Sequence, residues 1–186
     1  GTRLMLDTDT RIRFRAHSDV RTLALTAGRI NLDIAVEPRP FVINTGTRQV
    51  TARAARLDLR RDADRVALTA VQGSAQIDAP GGAVSLATGS RIAMAAGRPD
   101  RIDQPELEDL VAWQSGRLAF RDETIVQAAA EMNRYTRRAL VVADARVGAL
   151  RLSGVYRVGD PEAFARSLAV LLPVRVTPDG DTIRIS

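Results

Sequence analysis

Residues 116–144, "GRLAFRDETIVQAAAEMNRYTRRALVVAD", read as strand, helix and strand in succession. Ile125, Ala128, Ala129 and Met132 recur at i, i+3, i+4 and i+7 and form one apolar stripe. Gln127, Glu131, Arg134 and Arg138 fall on the opposite face, so the period is helical. Asp122 or Thr124 can accept the first free amide hydrogens, and the Thr124 to Gln127 spacing fits a capping box. Arg137 and Arg138 are expected in the last turn, where positive charge suits the helix dipole.

The pattern then recurs. "LRLSGVYRV", 150–158, reads as a strand, and Asp160 followed by Pro161 reads as a helix cap and first helical position. Phe164, Leu168 and Leu171 supply the buried stripe, and Pro173 closes the helix. "VRVT" and "TIRIS" flank "PDGD", a hairpin signal. Residues 105–186 are thus expected to form a small α+β domain with two strand-helix-strand units and a final strand.

Working back from residue 116, no comparable helical period occurs. Ile12 and Phe14 alternate with Arg11, Arg13 and Arg15; Leu23 and Leu25 alternate with Thr22 and Thr26; Ile30, Leu32 and Ile34 alternate with Asn31 and Asp33. Period two means strands with one solvated face. Turn signals separate these runs at Gly28, "EPRP" 37–40, "TG" 45–46, "RDAD" 61–64, Gly73, "APGG" 79–82 and "TGS" 88–90. Residues 1–104 are therefore expected to be an all-β domain, a sandwich or meander of short antiparallel strands. "GRPDRIDQPELEDL", 97–110, combines Gly, two prolines and clustered charge, and marks the boundary near 104. Leu107, Leu110 and Val111 suggest a short helical turn leading to Trp113, the single tryptophan.

Charge divides the same way. Among 27 basic residues there is no lysine, a bias expected of a GC-rich genome. Residues 1–104 hold 16 arginines against 11 acidic groups, and 105–186 hold 11 of each, so the net +5 lies in the first part. Those arginines alternate with apolar residues, and aromatics amount to 4%, too few to stack on bases, so nucleic-acid binding is not expected. The excess reads as ordinary surface charge, with attraction to anionic lipid headgroups as the alternative. The absence of cysteine excludes disulfides and thiolate metal sites. Neither a membrane-spanning run nor a signal peptide is seen, and the opening in strand-like sequence without Met suggests a piece of a longer protein.

Catalytic chemistry is sparse. His17 is the single histidine, so a metal site or a Ser-His-Asp device would need carboxylates alone to complete it. The acidic groups Asp62 and Asp64, Glu106, Glu108 and Asp109, and Asp179 and Asp181 lie in turns or the linker, where solvation explains them. The glycines fit neither a dinucleotide fingerprint nor a P-loop. No catalytic, cofactor-binding or metal-ligating residue is assigned, and an enzyme is not expected; function is expected to reside in surfaces.

"GRINLDIAVEPRPFVINTGTRQV…LTAVQGSAQI" followed by "WQSGRLAFRDETIVQAAAEMNRYTRRALVVAD" resembles the FecR family of transmembrane sigma-factor regulators. The first part is similar to that family's β repeat. The second is similar to its C-terminal segment of the secretin and TonB short N-terminal (STN) type. Gly28-Arg29 stands where the family usually has Gly-Glu, and Ala54-Ala55 where it usually has Gly-Thr. If the latter pair sat at a bulge, alanine would not tolerate a positive φ there.

The resemblance implies the periplasmic, signal-receiving region of a single-pass inner-membrane protein, in cell-surface signalling for siderophore-mediated iron uptake. Its implied partners are the N-terminal signalling domain of a TonB-dependent outer-membrane transporter, site-directed proteases acting on the full-length protein, and a sigma factor bound through a cytoplasmic segment that these residues do not contain. Strand 150–156, carrying a glycine and an aromatic, is expected to offer a docking edge. Leu152, Val155, Tyr156, Arg157 and Trp113 are the residues named for partner contact. The alternative is a structural periplasmic β scaffold with a secretin-like docking domain.

Overall fold

The period-two runs of the first hundred residues become strands joined in one curled sheet, eleven strands among the described residues. The computed structural model describes residues 1–46 and 48–186, and its contacts divide the chain into Gly1–Leu107 and Glu108–Ser186. The expectation of an all-β region followed by a smaller α+β region holds.

The spine of the first unit is β3 (Arg21–Ile34), whose two halves serve different neighbours. Its first half pairs antiparallel with β2 (Arg11–Ala16) and parallel with β4 (Phe41–Asn44). Its second half pairs antiparallel with β1 (Arg3–Leu6) and β6 (Ala55–Asp62). From β4 the sheet continues through β5 (Gln49–Ala52), β8 (Ala75–Ala79) and β9 (Gly82–Leu86). From β6 it continues through β7 (Arg65–Gly73), β10 (Arg91–Ala95) and β11 (Arg101–Asp103). The two wings share one core, in which Leu23, Leu25, Ile30, Phe41, Ile43, Leu57, Leu68 and Ile77 are all within 1% of full burial.

Gly28 does not separate two strands, contrary to its reading as a turn; it lies inside β3 with φ +88°. The reason is in the parity of the core residues. Leu23 and Leu25 point inward from odd positions, whereas Ile30, Leu32 and Ile34 do so from even ones. An alternating strand can switch faces in this way only by inserting a residue. The β2–β3 register supplies it, since Arg11 lies opposite Ala27 but Ile12 lies opposite Leu25. Thr10 locks the irregularity, its hydroxyl accepting from the Arg29 N–H at 3.0 Å and donating to the Arg29 carbonyl at 3.0 Å.

Alanine at 54 and 55 is accommodated because the positive φ falls on the opposing strand. Ala55 faces Gly73, whose φ is +76° and where a Cβ would come within 2.8 Å of the Ala54 carbonyl. Arg29, the other departure from the family pattern, is buried against Asp58, with Nε 2.9 Å from Oδ1.

At the start of the second unit, α1 (Leu107–Val111), whose first residue is the last of the first unit, and a 3-10 turn (Ala112–Ser115) lead into β12 (Arg117–Thr124), α2 (Ile125–Asn133) and β13 (Ala139–Val142). A short helix α3 (Ala145–Ala149), not anticipated from the sequence, precedes β14 (Arg151–Arg157); α4 (Pro161–Leu171) and the hairpin β15 (Val176–Asp179) and β16 (Thr182–Ile185) complete the unit. The capping box forms, and Ile125, Ala128, Ala129 and Met132 are all at most 2% exposed. Helix α2 ends earlier than expected, so Arg137 and Arg138 lie beyond its last turn. Asn133 ends it by standing in for a strand neighbour: its side chain donates to the Leu140 carbonyl at 2.9 Å and accepts from the Leu140 N–H at 2.7 Å. Arg138 pairs instead with Glu162 on α4, at 3.0 Å. Strands β12 and β14 form a two-stranded antiparallel ribbon, while β16 lies between β13, to which it is parallel, and β15.

Candidate docking surface of the small unit

The β12–β14 ribbon has an apolar inner face and a charged outer one. Along β14, Leu152, Gly154 and Tyr156 face inward at alternate positions. Gly154 lies opposite Phe120, and the Tyr156 ring folds over it so closely that a Cβ at 154 would come within 3.1 Å of the ring. Tyr156 then packs on Phe164 of α4 at 4.9 Å between centroids and on Phe120 at 5.8 Å. These contacts fix the ribbon on the helix, each aromatic pair adding about 0.5–1.5 kcal/mol beyond burial.

The outer face carries Arg151, Ser153, Val155 and Arg157 from β14, and Arg117, Ala119 and Arg121 from β12. A bulge between Phe120 and Glu123 turns Asp122 to φ +52°, where its N–H donates to Ser153 Oγ at 2.9 Å. Arg151 pairs with Asp122 at 3.1 Å, and Arg121 pairs with Asp109. Arg117 and Arg157 are directly opposed across the ladder, exposed, and without an ion pair or side-chain hydrogen bond among the described residues. Like charges so placed cost stability. Between them and the bulge, Val155 is 60% exposed opposite Ala119. The second edge of β14 pairs with no strand among the described residues, leaving backbone groups open to a further strand.

Of the residues expected at a partner surface, Val155 and Arg157 are exposed, Tyr156 is half-buried, and Leu152 is 6% exposed beneath them. Trp113 is 8% exposed and belongs to the apolar core of this unit. It therefore presents little surface of its own. Arg117 was not singled out from sequence because its position opposite Arg157 depends on the β12–β14 register, which the spacing of the runs does not specify. In the first unit, His17 occupies the turn between β2 and β3, its N–H donating to the Val20 carbonyl at 2.9 Å. Asp62 is held by Arg60 at 2.6 Å.

Residues 1–76 match the family model described as FecR protein. No curated protein matches the chain. Two crystal structures of a candidate anti-sigma factor from Parabacteroides distasonis ATCC 8503 share its fold, with TM-scores of 0.83 and 0.81, each at 18% identity. Each likeness covers 100% of this chain, and 90% and 89% of the respective other chain.

Proposed function

We propose that this chain, whose residues 1–76 match the FecR model and are followed by a small α+β unit, is the signal-receiving region of an anti-sigma regulator. In this reading the region lies in the periplasm. The small unit, as an STN-type domain, binds the N-terminal signalling domain of a TonB-dependent siderophore transporter. Docking then governs proteolytic release of a segment that controls an iron-starvation-type sigma factor. One observation carries the reading: β14 ends its two-stranded sheet with a free edge, and the outer face beside it exposes Val155 between unpaired Arg117 and Arg157. A strand with open backbone groups supplies affinity by augmentation, and the side chains on its outer face supply selectivity.

The test is calorimetric titration of the full chain with the signalling domain of the transporter encoded beside its gene. Val155→Glu and Arg157→Glu each leave the core untouched and are expected to weaken binding about tenfold or more, about 1.4 kcal/mol. Unchanged affinity in both variants, with circular dichroism intact, would place docking elsewhere and overturn the reading.

A further inference from the structure

The positive excess of the first unit is not spread evenly, because part of it converges on one trough in the outer face of the β6–β7–β10–β11 wing. The trough is open to solvent, offers about 440 Å³, and is lined by Arg60, Arg65, Arg91, Arg98 and Arg101 together with the carboxylate of Asp62. Its floor follows from the register. Arg60 lies opposite Ala67, Ala67 opposite Ala93, and Ala93 opposite Arg101, so two alanines sit side by side between two arginines. Three interstrand steps of about 4.8 Å put those arginine backbones about 14 Å apart. Alanine leaves the space between them unfilled.

Carboxylates neutralise only part of this charge. Arg60 is held by Asp62, and Arg91 makes a two-pronged pair with Asp103, at 2.8 Å and 2.6 Å. The Arg91 hydrogen bonds hold the Asp103 carboxyl below the ordinary carboxylate range, with Arg101 adding to the effect. Arg65 and Arg98 have no ion pair or side-chain hydrogen bond among the described residues. Asp100, next to the trough in sequence, is engaged by Arg48 at 3.5 Å. Strands β7 and β10 are each paired on both sides, so no backbone edge is open there and recognition must come from side chains.

We propose that this trough binds a ligand bearing two or more phosphate groups. Guanidinium forks match phosphate oxygens, and each phosphate offers three, enough to engage two or three arginines at once. A single carboxylate is satisfied by one fork and cannot span the guanidiniums of Arg65, Arg98 and Arg101 around a floor this wide. The volume lies within the range of small-ligand sites, about 300–1,000 Å³. Such a ligand can be soluble or the headgroup of a lipid; the chemistry recognised is the same.

The probe is inositol hexakisphosphate, titrated calorimetrically into the full chain at about 0.15 M salt, where long-range attraction is screened beyond about 8 Å. A variant combining Arg65→Ala, Arg98→Ala and Arg101→Ala is expected to lose about tenfold or more in affinity, since it removes charge-assisted bonds. Arg11→Ala, Arg13→Ala and Arg15→Ala on β2 together remove the same net charge and are expected to leave affinity within about twofold, being off the trough. Equal losses in the two variants, or no binding by the unsubstituted chain, would overturn the proposal. Co-sedimentation with vesicles containing cardiolipin, whose headgroup carries two phosphates, distinguishes the sources. Vesicle binding displaced by the hexakisphosphate places the phosphates on a lipid, and hexakisphosphate binding without vesicle binding places them on a soluble ligand. Vesicle binding that survives the trough substitutions, with no hexakisphosphate binding, counts against the site.

Discussion

Gly28→Ala tests how β3 changes face, and its cost follows from two separable causes. The first is backbone conformation: at φ +88° an L-residue pays about 1–2 kcal/mol relative to glycine. The second is contact. An alanine Cβ would sit 2.5 Å from the Thr10 Cα and 2.4 Å from its hydroxyl oxygen. A backbone atom cannot rotate away, so Thr10 must move, and its two hydrogen bonds to the backbone of Arg29 are lost with it. Leaving a buried N–H or C=O unmet costs about 1–3 kcal/mol. The sum is about 2–5 kcal/mol, against a usual total of about 5–15 kcal/mol for a domain. With a urea slope of about 1–2 kcal/mol per molar, the midpoint should fall by about 1–5 M. Far-UV circular dichroism follows the sheet-rich first unit, while Trp113 fluorescence follows the core of the second. Gly97→Ala is the control: Gly97 has φ +68° with nothing within 4 Å of an added Cβ, so it bears the first cost alone. A Gly28 variant no worse than the Gly97 variant would refute the contact with Thr10 and the bulge it locks.

Asp58→Ala, which removes the carboxylate paired with the buried Arg29 guanidinium, is expected to cost about 3–5 kcal/mol in denaturant unfolding. Thr124→Ala removes the α2 cap and should cost about 1 kcal/mol, read by the Trp113 transition. Gly154→Ala pushes a Cβ into the Tyr156 ring and should cost about 1–3 kcal/mol, with a change in the near-ultraviolet aromatic signal. The Arg91–Asp103 pair has a pH signature. Asp103 has its folded pKa lowered, so its contribution is present above the unfolded carboxylate pKa and is lost as pH falls through the lower folded value. Because the side chains are 35% and 49% exposed, the effect of Asp103→Asn at pH 7 should stay below about 1 kcal/mol and vanish in acid.

The small unit was the more legible half because its signals are local. The Thr124–Gln127 box, the Asp160–Pro161 start and the 125–132 stripe each lie within one or two helical turns, and each formed where the residues placed it. Helix α2 was read too long because the signal that ends it is a contact between Asn133 and Leu140, seven residues apart. In the first unit the alternation was plain, yet Gly28 was misread: a bulge and a turn use the same residue for the same conformational reason, and only the switch from odd to even core positions distinguishes them. Both candidate surfaces were hidden for a related cause. Arg117 opposite Arg157, and Arg60 with Arg101 across two alanines, are products of register between strands distant in sequence.

The lysine-free composition, read from sequence as genome bias, has a structural use that one conservative substitution can isolate. Arg21 is 4% exposed, donates from Nη2 to the Arg39 carbonyl at 2.8 Å and from Nη1 to Thr2 Oγ1 at 2.9 Å, and lies over the Phe41 ring at 5.2 Å. Arg39 in turn donates to the His17 carbonyl, Arg53 to the Pro38 carbonyl and Arg61 to the Leu25 carbonyl. Four guanidiniums thus satisfy carbonyls where the sheet turns its corners or bulges. A lysine ammonium keeps the charge but has no planar fork to reach two acceptors while lying over a ring. Arg21→Lys is therefore expected to cost about 1–2 kcal/mol, roughly one hydrogen bond and part of the ring contact. Arg3→Lys, at an exposed site on β1, should stay within about 0.5 kcal/mol. If the two substitutions cost the same, arginine at position 21 serves only as a charge; if Arg21→Lys alone destabilises, the corners of this sheet require the guanidinium itself.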